Sequence, residues 1–312
     1  MKKFSILLLV VLLGLSLVIV GCGGANNNNE DPNNENENEN VDNSEDEEEV
    51  GSFEGRIVGI DAGAGIMEAT EKAIDEYGLE LDLITSSDAA MTAELKTAYE
   101  NEEWIVVTGW APHWKFAEFD LKFLEDPKGV YGGEETINAI TRLGFADDAP
   151  EINQLLTDFY ESPAELGNLI GMMEEYDDND EAAKVWIEEN RDLVDGWLEN
   201  VGEPSVEEVT IGYVQWACAN ANTHMMKNLL EDEFGIDVTI TDMEAGIMWQ
   251  SVASGDIDFM ITAWLPGTHA TYIEEYGDDV VDLGPLYDGA AIGLVVPEYV
   301  TIDSIEELND HQ

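Results

Sequence analysis

Three tryptophans, Trp110, Trp216 and Trp264, each stand where a short apolar strand ends: WIVVTGW closes on the first, VTIGYVQ precedes the second, and FMITAW closes on the third. For any one such ring, hinge or core packing is the simpler role. Three at matching ends point to a shared task at the mouth of a fold. An indole face is electron-rich and attracts a cation that cannot be satisfied by hydrogen bonds, above all a quaternary ammonium. Each ring contributes about 0.5–2 kcal/mol, so three supply roughly 2–6 kcal/mol. Micromolar affinity needs about 8 kcal/mol, and a second anchor must make up the difference.

That anchor is sought in 61-DAGAGIM-67, which follows a strand and opens a helix. Free amides at a helix N-terminus bind anions, so the amides of Gly65 and Ile66 are candidates for holding a carboxylate. A dinucleotide fingerprint is the rival reading, but Glu68 stands where its third glycine belongs. His269, five residues beyond Trp264, is a candidate for a further hydrogen bond to the carboxylate; a histidine satisfied within its loop is the equal alternative. His113 is flanked by Trp114 and reads as structural or supporting, and His224, in the first turns of a helix, as structural. No His-x-x-x-His pair or cysteine cluster calls for a metal, and no cofactor is expected. The arginines Arg56, Arg142 and Arg191 all lie outside these motifs. Sites for ordinary amino acids commonly clamp the carboxylate with arginine, whereas a guanidinium would repel a trimethylammonium. A betaine fits this pattern better. With no G-x-S-x-G elbow, no metal set and no activating base near Cys218 in the sequence, an enzyme is not expected.

The residues sit on a repeated framework. Residues 56–114 and 209–269 each read strand, helix, strand, helix, strand. Each begins with a β-branched strand leading to a glycine, Gly59 or Gly212, and ends on Trp-x-Pro, at Trp110 or Trp264. Strands alternating with helices imply βαβ units and parallel sheets, whose ligands sit beyond the carboxyl ends of the strands. The expected fold is therefore two α/β lobes, each a mainly parallel sheet flanked by helices, closing on a ligand. Residues 134–200 read as mainly helical, with EETINAITRLGF a candidate crossing between lobes and Trp186 and Trp197 packing inside helices. GAAIGLVVPEYV gives one more strand, returning to the first lobe, and SIEEL a short helix. The expected division is 54–140 plus 290–312 for lobe one and 141–289 for lobe two.

Ahead of this framework, MKKFSILLLVVLLGLSLVIVGC has two lysines, an apolar run and a small-residue end, the layout of an export signal over 1–22. Its close, Ile19-Val20-Gly21-Cys22, resembles a bacterial lipobox, in which the cysteine, here Cys22, is lipidated; a plain membrane anchor is the alternative. Residues 23–53 carry eleven acids, no base and many asparagines. Such a segment buries too little apolar surface to fold and reads as a disordered tether, reaching roughly 30 Å as a random coil. From residue 54 onward, 58 acids face 10 bases, which excludes nucleic acid as a natural partner. No D-x-[DN]-x-[DN]-G loop supports calcium, and the charge reads as a surface kept soluble in strong salt, as in a halophile.

Together GIDAGAGIM, VVTGWAPHW, IGYVQWA, MWQSVASGDIDFMITAWLPGTH and IGLVVPEYV resemble the glycine betaine/proline betaine-binding proteins of osmoprotectant ABC importers, over nearly all of residues 54–310. The resemblance implies a periplasmic-binding-protein-like clamshell, exported and lipid-anchored at the outer face of the cell membrane. In that family three tryptophans form a prism around the ammonium, while two amides and a histidine hold the carboxylate. Carried over motif by motif, these are Trp110, Trp216 and Trp264, the amides of Gly65 and Ile66, and His269. The implied partners are glycine betaine or a related betaine, a permease and its ATPase. A receptor for choline or carnitine, and a surface adhesion module, are the competing readings. Ala217-Cys218 after Trp216 departs from the acidic or small residues commoner in the family.

Overall fold

The computed structural model describes residues 51–311; the export signal, Cys22 and nearly all of the acidic tether lie outside the described residues. The first repeat runs β1 (Arg56–Val58), α1 (Gly65–Tyr77), β2 (Asp82–Ile84), α2 (Asp88–Glu100) and β3 (Val107–Ala111). A short α3 (Lys115–Glu118) and β4 (Leu121–Phe123) follow it. Then come β5 (Glu135–Arg142) and five helices, α4 (Phe145–Asp148), α5 (Pro150–Asp158), α6 (Pro163–Glu175), α7 (Asn179–Glu189) and α8 (Arg191–Leu198). The second repeat is β6 (Glu208–Tyr213), α9 (Ala217–Phe234), β7 (Asp237–Asp242), α10 (Ala245–Ser254) and β8 (Phe259–Leu265). It is followed by α11 (Ala270–Tyr276), a long β9 (Val280–Pro297) and a 3₁₀ turn, Ile305–His311.

The strand order is β2-β1-β3-β9-β5-β8-β6-β7, with β4 pairing β9. Its two ends are the two repeats. In the first, β1 pairs β2 and β3 in parallel; in the second, β6 pairs β7 and β8 in parallel. Antiparallel β9 and β5 join them. Val280–Ala290 of β9 runs along β5, while Ala291–Val295 runs along β3. One strand thus belongs to both half-sheets, and with the segment between β4 and β5 it makes the connection between two α/β lobes. β5 pairs β8 from Thr136 to Thr141, so it lies in the second half-sheet, and the boundary expected at residue 140 falls inside it. EETINAITRLGF is accordingly a buried strand in a region expected to be mainly helical. Its Ile, Thr and Ala alternation suits a strand flanked on both edges.

Local chemistry explains the remaining elements. Each repeat's first helix stops on a left-handed glycine, Gly78 (φ 63) after α1 and Gly235 (φ 68) after α9. α6 starts on a capping box, with Ser162 and Glu165 each satisfying the other's backbone amide. Trp186 and Trp197 stack with ring centroids 6.2 Å apart, and Phe159 meets Trp197 edge-on at 4.7 Å. All three are buried, and they form the core of the helical insertion.

Candidate functional site

At the carboxyl ends of the strands, one cavity is lined by Trp110, Trp216 and Trp264 together with Gly65, Ile66 and Thr268. Each element delivers its part for a local reason. Trp110 is the penultimate residue of β3 and Trp264 that of β8, where the strand still fixes the backbone. Trp216 is the residue before α9, extended at φ −102 and ψ 147, so its ring leaves the sheet just before the helix begins. Sequence alone placed Trp216 at an open mouth. Here it is 6% exposed, with Trp110 at 4% and Trp264 at 3%, because the two lobes meet over the rings.

Gly65 shows how closely they meet. A Cβ there would collide with the Thr268 carbonyl from the other lobe, so only glycine permits this approach. Tyr272 donates its hydroxyl to the Gly63 carbonyl at 2.7 Å, a second contact across the cleft. α1 begins at Gly65 after Ala64, which offers no side-chain cap. The amide of Met67 reaches Ala64, whereas those of Gly65 and Ile66 find no acceptor among the described residues. Two donors and the positive end of a helix thus border the cavity.

His269 does not line the cavity. Its ring lies 5.9 Å from that of Trp216 and is fully buried. Nδ1 accepts hydrogen bonds from the Trp264 amide at 3.1 Å and the Trp249 indole at 3.4 Å. That places the proton on Nε2, which is buried without a partner among the described residues, as is Nε1 of Trp264. Burial pushes the imidazole down to about 3, so His269 is a neutral donor at working pH. Glu135, at the start of β5, holds this loop: its carboxylate accepts from the Thr268 amide at 2.7 Å, from the Gly267 amide and from the Thr268 hydroxyl.

His113 is arranged differently. Its Nδ1 accepts from the Lys115 amide at 3.1 Å, and Nε2 donates to Asp88 at 3.0 Å. The other oxygen of Asp88 accepts from the Ala217 amide at 3.1 Å, so a carboxylate of lobe one caps the helix that starts beside Trp216 in lobe two. Burial lowers His113 to about 4, and it too stays neutral. His224 is tied to Asp180 at 2.6 Å on the side of α9, away from the cavity. Among the described residues no cluster of His, Cys, Asp and Glu could hold a metal. No helix among them is long and apolar enough to cross a membrane. Sequence reasoning missed Asp88, Glu135 and Lys115, whose partners lie far along the chain or on the far side of the rings.

A cavity walled by indoles and bordered by unpaired N–H groups can take a molecule with an apolar cation at one end and an anion at the other. Residues 35–189 and 207–312 match the family described as the substrate binding domain of ABC-type glycine betaine transport systems. The glycine betaine/carnitine transport binding protein GbuC of Listeria monocytogenes is 45% identical over 256 residues, 81% of this chain and 85% of that protein. Lactococcal OpuAC, solved closed with glycine betaine, is 37% identical over 49% of this chain and 63% of its own, with a TM-score of 0.45. The glycine betaine/L-proline-binding protein ProX of Borrelia burgdorferi is 32% identical over 49% of this chain and 57% of its own, with a TM-score of 0.43.

Proposed function

Since this chain belongs to the family of substrate-binding domains of ABC-type glycine betaine transport systems, a family of transport components and not of enzymes, we propose that it captures glycine betaine outside the cell and hands it to an importer's permease. The trimethylammonium sits among Trp110, Trp216 and Trp264, and the carboxylate meets the amides of Gly65 and Ile66; the Nε2–H of His269, which does not line the cavity in this structure, reaches the carboxylate on binding. The observation that carries this reading is the pairing in one cavity of three ring walls with the amides of Gly65 and Ile66, which find no acceptor among the described residues. The rings supply roughly 2–6 kcal/mol, and each hydrogen bond to a charged carboxylate adds about 1.5–3 kcal/mol. Together they reach the range of micromolar binding.

The same donors argue against choline, which has no carboxylate to satisfy them. Carnitine keeps both charges and appears in the printed name of the Listeria relative, so it is the second ligand to test. An adhesion module has no use for unpaired donors facing a ring-walled cavity. Cys22, carrying a lipid, would hold the receptor at the membrane beside its permease, with the acidic segment as tether. Calorimetric titration with glycine betaine, carnitine and choline at high salt tests the reading. Binding of the two carboxylates, with choline much weaker, is expected; no heat from any of them would overturn it.

A further inference from the structure

Lys115 is fully buried, and its ammonium has no hydrogen-bond partner among the described residues. It lies 4.1 Å from the centroid of the Trp110 ring and 5.7 Å from that of Phe116. Trp110 lines the cavity and Lys115 does not, so the lysine occupies the far side of a ring whose near side faces the ligand space. A buried cation with no hydrogen bonds is costly, and the indole face is its main compensation.

The ionisable groups facing Lys115 come from three elements. They are His113 from the turn after β3, Asp88 from the start of α2 and Cys218 from the start of α9. His113 is held down to about 4 by burial and the Cys218 thiol is pushed up to about 12 by burial, so neither changes charge near neutrality. The Asp88 carboxylate favours the lysine's charge but is already engaged by His113 and Ala217. β9 presents apolar Val295 to this side of β3.

We propose that Lys115 sets the affinity of the cage: its ammonium draws on the outer face of Trp110 and repels a quaternary ammonium on the inner face, so the protein binds a betaine more tightly when Lys115 is neutral. The inference rests on the functional reading above. Burial pushes Lys115 down to about 7, which places the change near neutrality. Cations on opposite faces of one ring stand about 8 Å apart; at an effective dielectric near 20, with Asp88 offsetting part of the repulsion, the effect is about tenfold in affinity. By linkage, betaine binding near pH 7 releases a fraction of a proton, roughly 0.4, from the protein.

Titration calorimetry with glycine betaine from pH 6 to 8.5 tests this on the wild type, Lys115→Met and Lys115→Arg. Repetition at pH 7 in buffers of different ionisation enthalpy counts protons released. The wild type should gain about fivefold in affinity across the range and release roughly 0.4 of a proton per betaine at pH 7. Lys115→Met should bind tightly at every pH and release none. Lys115→Arg, which cannot lose its charge, should bind weakly at every pH; if arginine does not fit and the variant fails to fold, the methionine variant decides alone. A flat wild-type profile, or a Lys115→Met profile as steep as the wild type's, would overturn the proposal. Absence of betaine binding by the wild type at every pH would overturn the functional reading itself, and the proposal with it.

Discussion

The first helix of each repeat starts in the same place, just beyond the end of the opening strand, and the two starts are finished differently. α1 begins with the amides of Gly65 and Ile66 unpaired. α9 begins with the amide of Ala217 held by Asp88, reaching over from the other lobe. The histidines after the two Trp-x-Pro segments differ in the same sense. His113 has both ring nitrogens engaged, whereas His269 keeps Nε2 buried without a partner. A buried polar group without a partner costs about 1–3 kcal/mol, so unpaired donors gathered on one side are a cost the fold recovers when something binds there. The duplicated framework therefore separates two tasks. Paired groups tie lobe to lobe, and in the function proposed above the unpaired groups receive a carboxylate.

The comparison can be broken first with tryptophan. Trp186→Ala, in the helical core, should cost about 3–5 kcal/mol of stability and leave betaine affinity of the folded protein unchanged. Trp216→Ala should cost less stability, since its ring borders a cavity, and weaken binding by about 1–3 kcal/mol. Denaturant unfolding and calorimetry on both variants check the contrast, and equal effects on binding would erase it.

A smaller effect separates the paired helix start from the free one. Asp88→Ala leaves the Ala217 amide and the His113 N–H without an acceptor, and should cost about 1–3 kcal/mol in the closed state. Because Asp88 bridges the lobes, the loss should appear mainly as weaker binding and a higher fraction of open protein by small-angle scattering. Loss of stability alone, with closure intact, would show that the bridge is incidental.

Trp110 and Trp264 were legible in the sequence because the Trp-x-Pro endings repeat at nearly the same spacing, Trp216 because it follows the opening strand of the second repeat, and helix start 65–66 because DAGAG follows a strand. The partnerships around them were not. Asp88 meets Ala217 across 129 residues. Lys115 carries a residue type that normally lies at the surface, and a reading of cations that weighed only the arginines passed over it. β5 was taken into a helical region because its neighbours on both sides in the sheet, β8 and β9, come more than a hundred residues later. The burial of Trp216 likewise depends on the opposite lobe, which no local pattern reports.

The last contrast concerns pH. His269 is held neutral down to about 3, while in the unfolded chain it takes up a proton near 6.5. Between those values the unfolded state binds more protons, so stability falls as pH drops from about 6.5 toward 3. His269→Ala should remove that part of the acid sensitivity and weaken betaine binding by about 1.5–3 kcal/mol, through the lost hydrogen bond to a carboxylate. Thermal melts at pH 7 and pH 4.5 check the first point. An unchanged acid sensitivity would place the titration on another group.

The central claim is that the cavity recognises a positive charge through ring faces and not merely an apolar shape. Glycine betaine and 3,3-dimethylbutanoate share their outline and their carboxylate and differ by carbon in place of the charged nitrogen. Titration calorimetry of the wild type with both, at one pH and high salt, isolates that charge. Glycine betaine should bind at least about tenfold more tightly, the lower bound for three indole faces. Equal affinity for the two would contradict the cage, leaving the tryptophans as walls of an ordinary hydrophobic pocket.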